Sequence, residues 1–94
     1  MINSLYESKV ITRGILMDLC KSQKYVDADA LMWNLKKTEI DPALYSKIIG
    51  STFRVLESEQ LIKDSGRIKS SERNSGNLIK IWKSLVYQER RLVT

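Results

Sequence analysis

Few side chains in this sequence could carry out covalent or metal chemistry. There is no histidine, so the usual general base and the usual imidazole metal ligand are absent. The single cysteine, Cys20, is a poor nucleophile without a histidine and can form neither an internal disulfide nor a cysteine metal cluster. Asp27 and Asp29 are better explained as the cap of a helix and a partner of its dipole than as metal ligands. We therefore expect no enzymatic activity and no cofactor.

The chemistry that remains is the binding of anions. The net charge is +5, and the excess lies in the second half, where residues 50–94 contain nine Lys/Arg against five Asp/Glu. Much of it falls in GRIKSSERNSGNLIKIWK, residues 66–83, which combines a basic run, a polar loop and alternating apolar and basic residues. A local basic excess of this kind predicts a polyanionic partner, and nucleic acid is the first candidate.

The totals indicate one folded domain spanning residues 1–94. Hydrophobic residues make up 43% and charged residues 29% of the 94 residues, which is the balance of a globular protein. No stretch approaches the roughly 20 apolar residues of a membrane span, and the first residues lack the apolar run of a signal peptide. Together with the single cysteine, these features predict a cytoplasmic protein that has no contact with membranes.

Apolar spacing and capping signals predict three helices. The first covers about 8–23, with Ile11, Ile15 and Leu19 on its apolar face, and Thr12 is an alternative start because Gly14 weakens the first turns. The second covers about 28–37 after the cap Asp27, with Leu31, Met32 and Leu35 inward and Trp33 outward. The third covers about 42–59, with Asp41 as cap and Pro42 at its first position. Its predicted buried side is Leu44, Tyr45, Ile48, Ile49, Phe53, Val55 and Leu56.

After the third helix the apolar period changes to two. This predicts a β-hairpin over about 61–83, with a bulge near Gly66 and its turn in ERNSG. Ile79 and Ile81 share one face of its second strand, and Trp82 lies on the other. The tail, 84–94, has the composition of a frayed terminus.

Two helices joined by a short turn, followed directly by a hairpin, resemble a winged helix-turn-helix domain. The segment from residue 48 to 83 is similar to small winged-helix proteins of phages and other mobile elements. The residues that carry the resemblance are Gly50, Phe53, Leu56, Leu61, Ile62, Gly66, Lys69, Ser70, Gly76 and Trp82. The resemblance implies an α+β fold, three helices followed by a two-stranded wing, and a DNA-binding regulator or replication accessory of a phage or similar element, with Trp82 in the core.

On this reading the third helix lies on duplex DNA and the wing lies on the phosphate backbone. The predicted contacts from the third helix are Ser46, Lys47, Ser51 and Arg54. Those from the wing are Arg67, Lys69 and Arg73, with Lys80 and Lys83 behind them.

Two other classes of function stay open at this point. The domain could be an adaptor that binds a host protein or a second copy of itself, in which case the outward-facing Trp33 is the candidate contact. It could instead bind single strands or RNA, with Trp82 or Tyr87 exposed for base stacking.

Overall fold

The computed structural model describes residues 1–72 and 76–88. Within these ranges the chain forms three α-helices and a three-stranded antiparallel sheet, so the predicted α+β class with three helices is confirmed. The elements are α1 (Leu5–Ser22), β1 (Tyr25–Val26), α2 (Ala28–Leu35), α3 (Tyr45–Ser58), β2 (Ile62–Ser70) and β3 (Leu78–Ser84). Arg73 and the end of the predicted tail, residues 89–94, lie outside the described residues.

Helix α1 begins earlier than the sequence predicted. Ser4 caps it by accepting a hydrogen bond from the Glu7 N–H at 3.3 Å. Thr12 is therefore not the cap; it is buried within the helix, and its hydroxyl donates to the Ser8 carbonyl at 2.7 Å. The fully buried positions of the helix are Ser8, Thr12, Leu16 and Cys20, whereas Ile11, Ile15 and Leu19 are only partly buried. The small side chains along this line let α1 pack closely against its neighbours.

Helix α2 follows its predicted start but ends sooner. The Asp27 carboxylate accepts a hydrogen bond from the Ala30 N–H at 2.9 Å, as expected for an N-cap. The helix ends at Leu35, so Lys36 and Lys37 lie beyond it and not in its last turn. The segment that leads to α3 is held by a parallel bridge between Ile2 and Ile40.

Helix α3 is preceded by a single 3₁₀ turn, Pro42–Leu44, whose N-cap is Asp41 as predicted. Its buried side differs from the prediction at one position. Val55 is 46% exposed, and Thr52 takes its place in the interior with its hydroxyl donating to the Ile48 carbonyl. The helical period alone could not distinguish these neighbouring positions, because either lies at the border of the apolar face.

The sheet has one strand more than the sequence predicted. Its order is β1-β3-β2, with β1 paired antiparallel to β3 on the side opposite β2. A strand of two residues is too short to show an alternating pattern, so the sequence gave no sign of it. The predicted bulge is present between Asp64 and Arg67, where Gly66 adopts a positive φ of 79° that glycine tolerates at no steric cost.

The core lies between the helices and one face of the sheet. Trp82 stacks on Phe53 with the ring centroids 5.8 Å apart, which joins β3 to α3 and gives Trp82 the core position that the family resemblance implied. The buried apolar side chains include Leu16, Val26, Leu31, Leu35, Ile48, Phe53, Leu56 and Ile62. Both faces of the domain that remain open to solvent are therefore set by α3 and by the outer side of the sheet.

Candidate nucleic-acid interface

The outward side of α3 is a basic ridge with little bulk between its charges. Lys47 and Arg54 are both exposed and lie two helical turns apart, about 10 Å along the axis. Gly50 lies between them on the same side, and a Cβ at Gly50 would sit 3.8 Å from the terminal nitrogen of Arg54. The Arg54 guanidinium lies over the helix at this point, with Nε 3.5 Å from the Gly50 carbonyl. We call Ser46, Lys47, Gly50 and Arg54 the α3 ridge.

Ser51 is placed differently from the other predicted α3 contacts. It is half-buried, its hydroxyl donates to the Ile48 carbonyl at 3.3 Å, and it borders the space between α1 and α3. Ser51 therefore lies on the flank of the ridge.

Lys69 is held within the protein. Its Nζ lies 3.0 Å from Asp27 Oδ2 and 3.8 Å from Asp29 Oδ2, which ties the hairpin to the start of α2. The hydrogen bond to Asp27 raises the pKa of the Lys69 ammonium. The same end of the hairpin is fixed by the Ser71 hydroxyl, which donates to Asp29 at 2.7 Å. In this structure Lys69 thus neutralises two carboxylates, a role that differs from the predicted phosphate contact.

Lys80 also has an internal partner. Its Nζ lies 3.4 Å from Asp64 Oδ2 and 5.3 Å from the centroid of the Trp82 ring. The pKa of Asp64 is lowered, first by the hydrogen bond that it accepts from the Gly66 N–H and then by Lys80. This pair stabilises the bulge, and Lys80 shares the core-facing side of β3 with Trp82 because alternate residues of a strand point to one face.

The remaining basic residues of the hairpin lie on the outer face of the sheet. Lys83 is three residues from Lys80 on a regularly paired strand, so the two side chains point to opposite faces. The Arg67 guanidinium lies 5.2 Å from the centroid of Tyr25, a residue of the unpredicted strand β1. The predicted wing contacts are therefore divided between two faces of the sheet.

Two apolar features complete the exposed surface. Trp33 is 66% exposed, as the sequence predicted, beside Met32 and Lys36. Sequence reasoning missed an apolar groove between α1 and α3, formed mainly by Tyr6, Val10 and Val55, of which Tyr6 is 80% exposed. Apolar residues outside the main stripe of α1, such as Tyr6 and Val10, were the available signal.

The described residues offer little for catalysis. Cys20 is fully buried, and burial raises the pKa of its thiol, which disfavours the reactive thiolate. Across residues 1–72 and 76–88 no cluster of three or more His, Cys, Asp and Glu could hold a metal ion. None of the helices in those ranges combines the length and the apolar character that crossing a bilayer requires.

Comparison with known proteins adds no relative. No protein-family profile, characterised protein or solved structure matches this chain. The functional assignment consequently depends on the side chains themselves, and the exposed basic ridge of α3 is the feature that most needs a partner.

Proposed function

We propose that this protein is a winged helix-turn-helix domain that binds duplex DNA through α3, without catalytic activity. The observation that carries the proposal is the α3 ridge, where Lys47 and Arg54 flank Gly50 on the exposed side of an otherwise well-packed helix. A helix with small residues and two separated cations on its outer side can approach a groove closely and meet phosphates at both ends. The order helix, helix, helix, hairpin supports this reading because it is that of a helix-turn-helix with a wing.

The wing contributes fewer contacts in this proposal than its basic content suggests. Lys69 and Lys80 are engaged by Asp27 and Asp64, so we assign them to the stability of the hairpin. Together with the ridge, this leaves Arg67 and Lys83 as the described wing candidates. About four phosphate contacts give weak, strongly salt-dependent binding, and a second copy or a partner protein would be needed for high specificity. A role as a regulator or replication accessory of a phage or similar element fits a small domain of this kind.

The proposal is tested by the salt dependence of binding to a labelled random duplex between about 50 and 200 mM. Lys47→Ala with Arg54→Ala should reduce the slope of log K against log [salt] by about 1.8, which at 0.1 M salt is a loss of about 60-fold. The matched control is Lys36→Ala with Lys37→Ala, which removes the same charge from an exposed site beyond α2. Equal losses in the two double variants would mean that net charge, and not the ridge, determines binding.

A protein partner is the second candidate. The observation that favours it is the groove between α1 and α3, where Tyr6 and Val10 expose apolar surface beside the Arg13–Glu59 ion pair that links the two helices. Exposed apolar side chains gathered at a groove are typical of protein contacts. Tyr6→Ser would abolish such an interaction and leave duplex binding unchanged, whereas loss of the α3 ridge would have the reverse effect.

A further inference from the structure

The outer face of the sheet carries a continuous row of exposed cations and one aromatic ring. Tyr25 on β1 is paired with Lys83 on β3, and Lys83 is paired with Lys63 on β2, so the three side chains form one row across all three strands. All three are exposed. The neighbouring row, Val26, Trp82 and Asp64, belongs to the opposite face, where Val26 is buried in the core. The row therefore faces away from the helices.

The pairing of Lys63 with Lys83 is unfavourable by itself. Residues directly opposite each other in an antiparallel pair have Cβ atoms about 5 Å apart, and like charges at this spacing destabilise the sheet. Neither lysine has an ion-pair partner among the described residues. An anion bound between the two ammonium groups would remove the repulsion, so the row is suited to a phosphate.

Aromatic rings stand beside these lysines. The ring of Tyr25 has the Arg67 guanidinium on it at 5.2 Å, and the ring of Tyr87 has Lys24 Nζ at 5.8 Å. Both rings line a groove of 390 Å³ together with Lys24 and Lys83, and no acidic side chain of the described residues lines it. A groove of this size lies within the usual range for small-ligand sites and can hold one nucleotide.

We propose that this outer sheet site, formed by Lys24, Tyr25, Lys63, Arg67, Lys83 and Tyr87, binds single-stranded nucleic acid. The phosphates would lie on Lys63 and Lys83, and an unpaired base would stack against a tyrosine ring in the groove. Cations along a backbone path with aromatic rings for the bases are the two components of single-strand binding sites. A base within a duplex is already stacked on both sides, so the groove favours an unpaired nucleotide. The site does not include the α3 ridge and does not depend on duplex binding by it.

Binding of a labelled 15-nucleotide oligothymidine tests the proposal by fluorescence anisotropy at 0.1 M salt. Lys63→Ala with Lys83→Ala should weaken binding about 25-fold, since each lost phosphate contact on a single strand changes the slope by about 0.7. Lys36→Ala with Lys37→Ala is again the control of equal charge and should change affinity much less. The Lys47→Ala, Arg54→Ala variant should keep its affinity for the single strand, so failure of the duplex proposal would leave this result intact.

Photocrosslinking of the unmodified protein supplies a readout that no folding defect can imitate. An oligonucleotide carrying 5-bromouracil should crosslink to Tyr25 or Tyr87, located by mass spectrometry of the digested protein. Crosslinks confined to α3, equal losses in the outer-sheet and control variants, or no binding of the wild-type protein at 50 mM salt would each overturn the assignment.

Discussion

Replacing Lys69 should weaken the fold and leave nucleic-acid binding unchanged. Its ammonium lies between two carboxylates at the start of α2, and the Asp27 side chain is only 16% exposed. Exposed ion pairs contribute about 0.2–1 kcal/mol, and a pair with one shielded partner and a second carboxylate nearby belongs at the upper end, about 1 kcal/mol. For a domain of this size, Lys69→Met should then lower Tm by about 4–8 °C.

A double-mutant cycle isolates the ion pair from the helix cap. Asp27→Asn removes the charge but keeps a side chain that caps helices well, so it is the suitable partner for Lys69→Met. Thermal unfolding followed by circular dichroism should give a coupling free energy of about 0.5–1 kcal/mol at low salt, and less at 1 M salt because of screening. A coupling below about 0.2 kcal/mol would refute the structural role that we assign to Lys69. So would a loss of duplex affinity in Lys69→Met equal to that in Arg67→Ala.

The pH dependence of this pair has a defined sign. The folded state raises the pKa of Lys69 above its ordinary value of 10.5. The pair therefore contributes its full stability below that pH and loses it as the pH rises through the folded-state pKa. Wild type and Lys69→Met should accordingly converge in Tm at strongly alkaline pH and differ most near neutrality.

Three further predictions concern the sheet and its contact with α3. Lys83→Glu, opposite Lys63, should raise Tm by about 2–4 °C while abolishing oligothymidine binding; an unchanged Tm would mean that the two lysines do not repel. Because the folded state lowers the pKa of Asp64 from 3.8, its contribution is lost as the pH falls through the folded-state pKa, so Asp64→Asn should show a flatter fall in Tm below pH 5, and a parallel fall would contradict this. Phe53→Ala should cost about 3–5 kcal/mol in urea unfolding and shift Trp82 fluorescence to the red; a cost below 1 kcal/mol would show that the ring stack is not part of the core.

Local signals in the sequence located most of the elements. Asp27, Asp41 and Pro42 act within one helical turn, so residue type alone was enough to place the starts of α2 and of the turn before α3. Gly66 marked the bulge for the same reason, because a positive φ selects glycine at that point of the strand. The inward position of Trp82 came from the family resemblance.

Contacts between distant parts of the chain could not be predicted in the same way. Strand β1 exists because β3 offers it a pairing edge, and two residues carry no period of their own. The exchange of Val55 for Thr52 in the interior depends on where α1 lies. Most relevant to function, the carboxylates that engage Lys69 come from α2, so the basic excess of the hairpin could be counted from the sequence but not divided into free and paired charges.

The central claim is that the α3 ridge meets duplex DNA, and titration of ¹⁵N-labelled protein with a random duplex of about 15 base pairs tests it most directly. The account predicts that the amide signals of Ser46, Lys47, Gly50 and Arg54 shift first and most, while the indole signal of Trp33 stays in place. Shifts at the Trp33 indole without shifts along α3, or no shift in any signal at low salt, would contradict the claim.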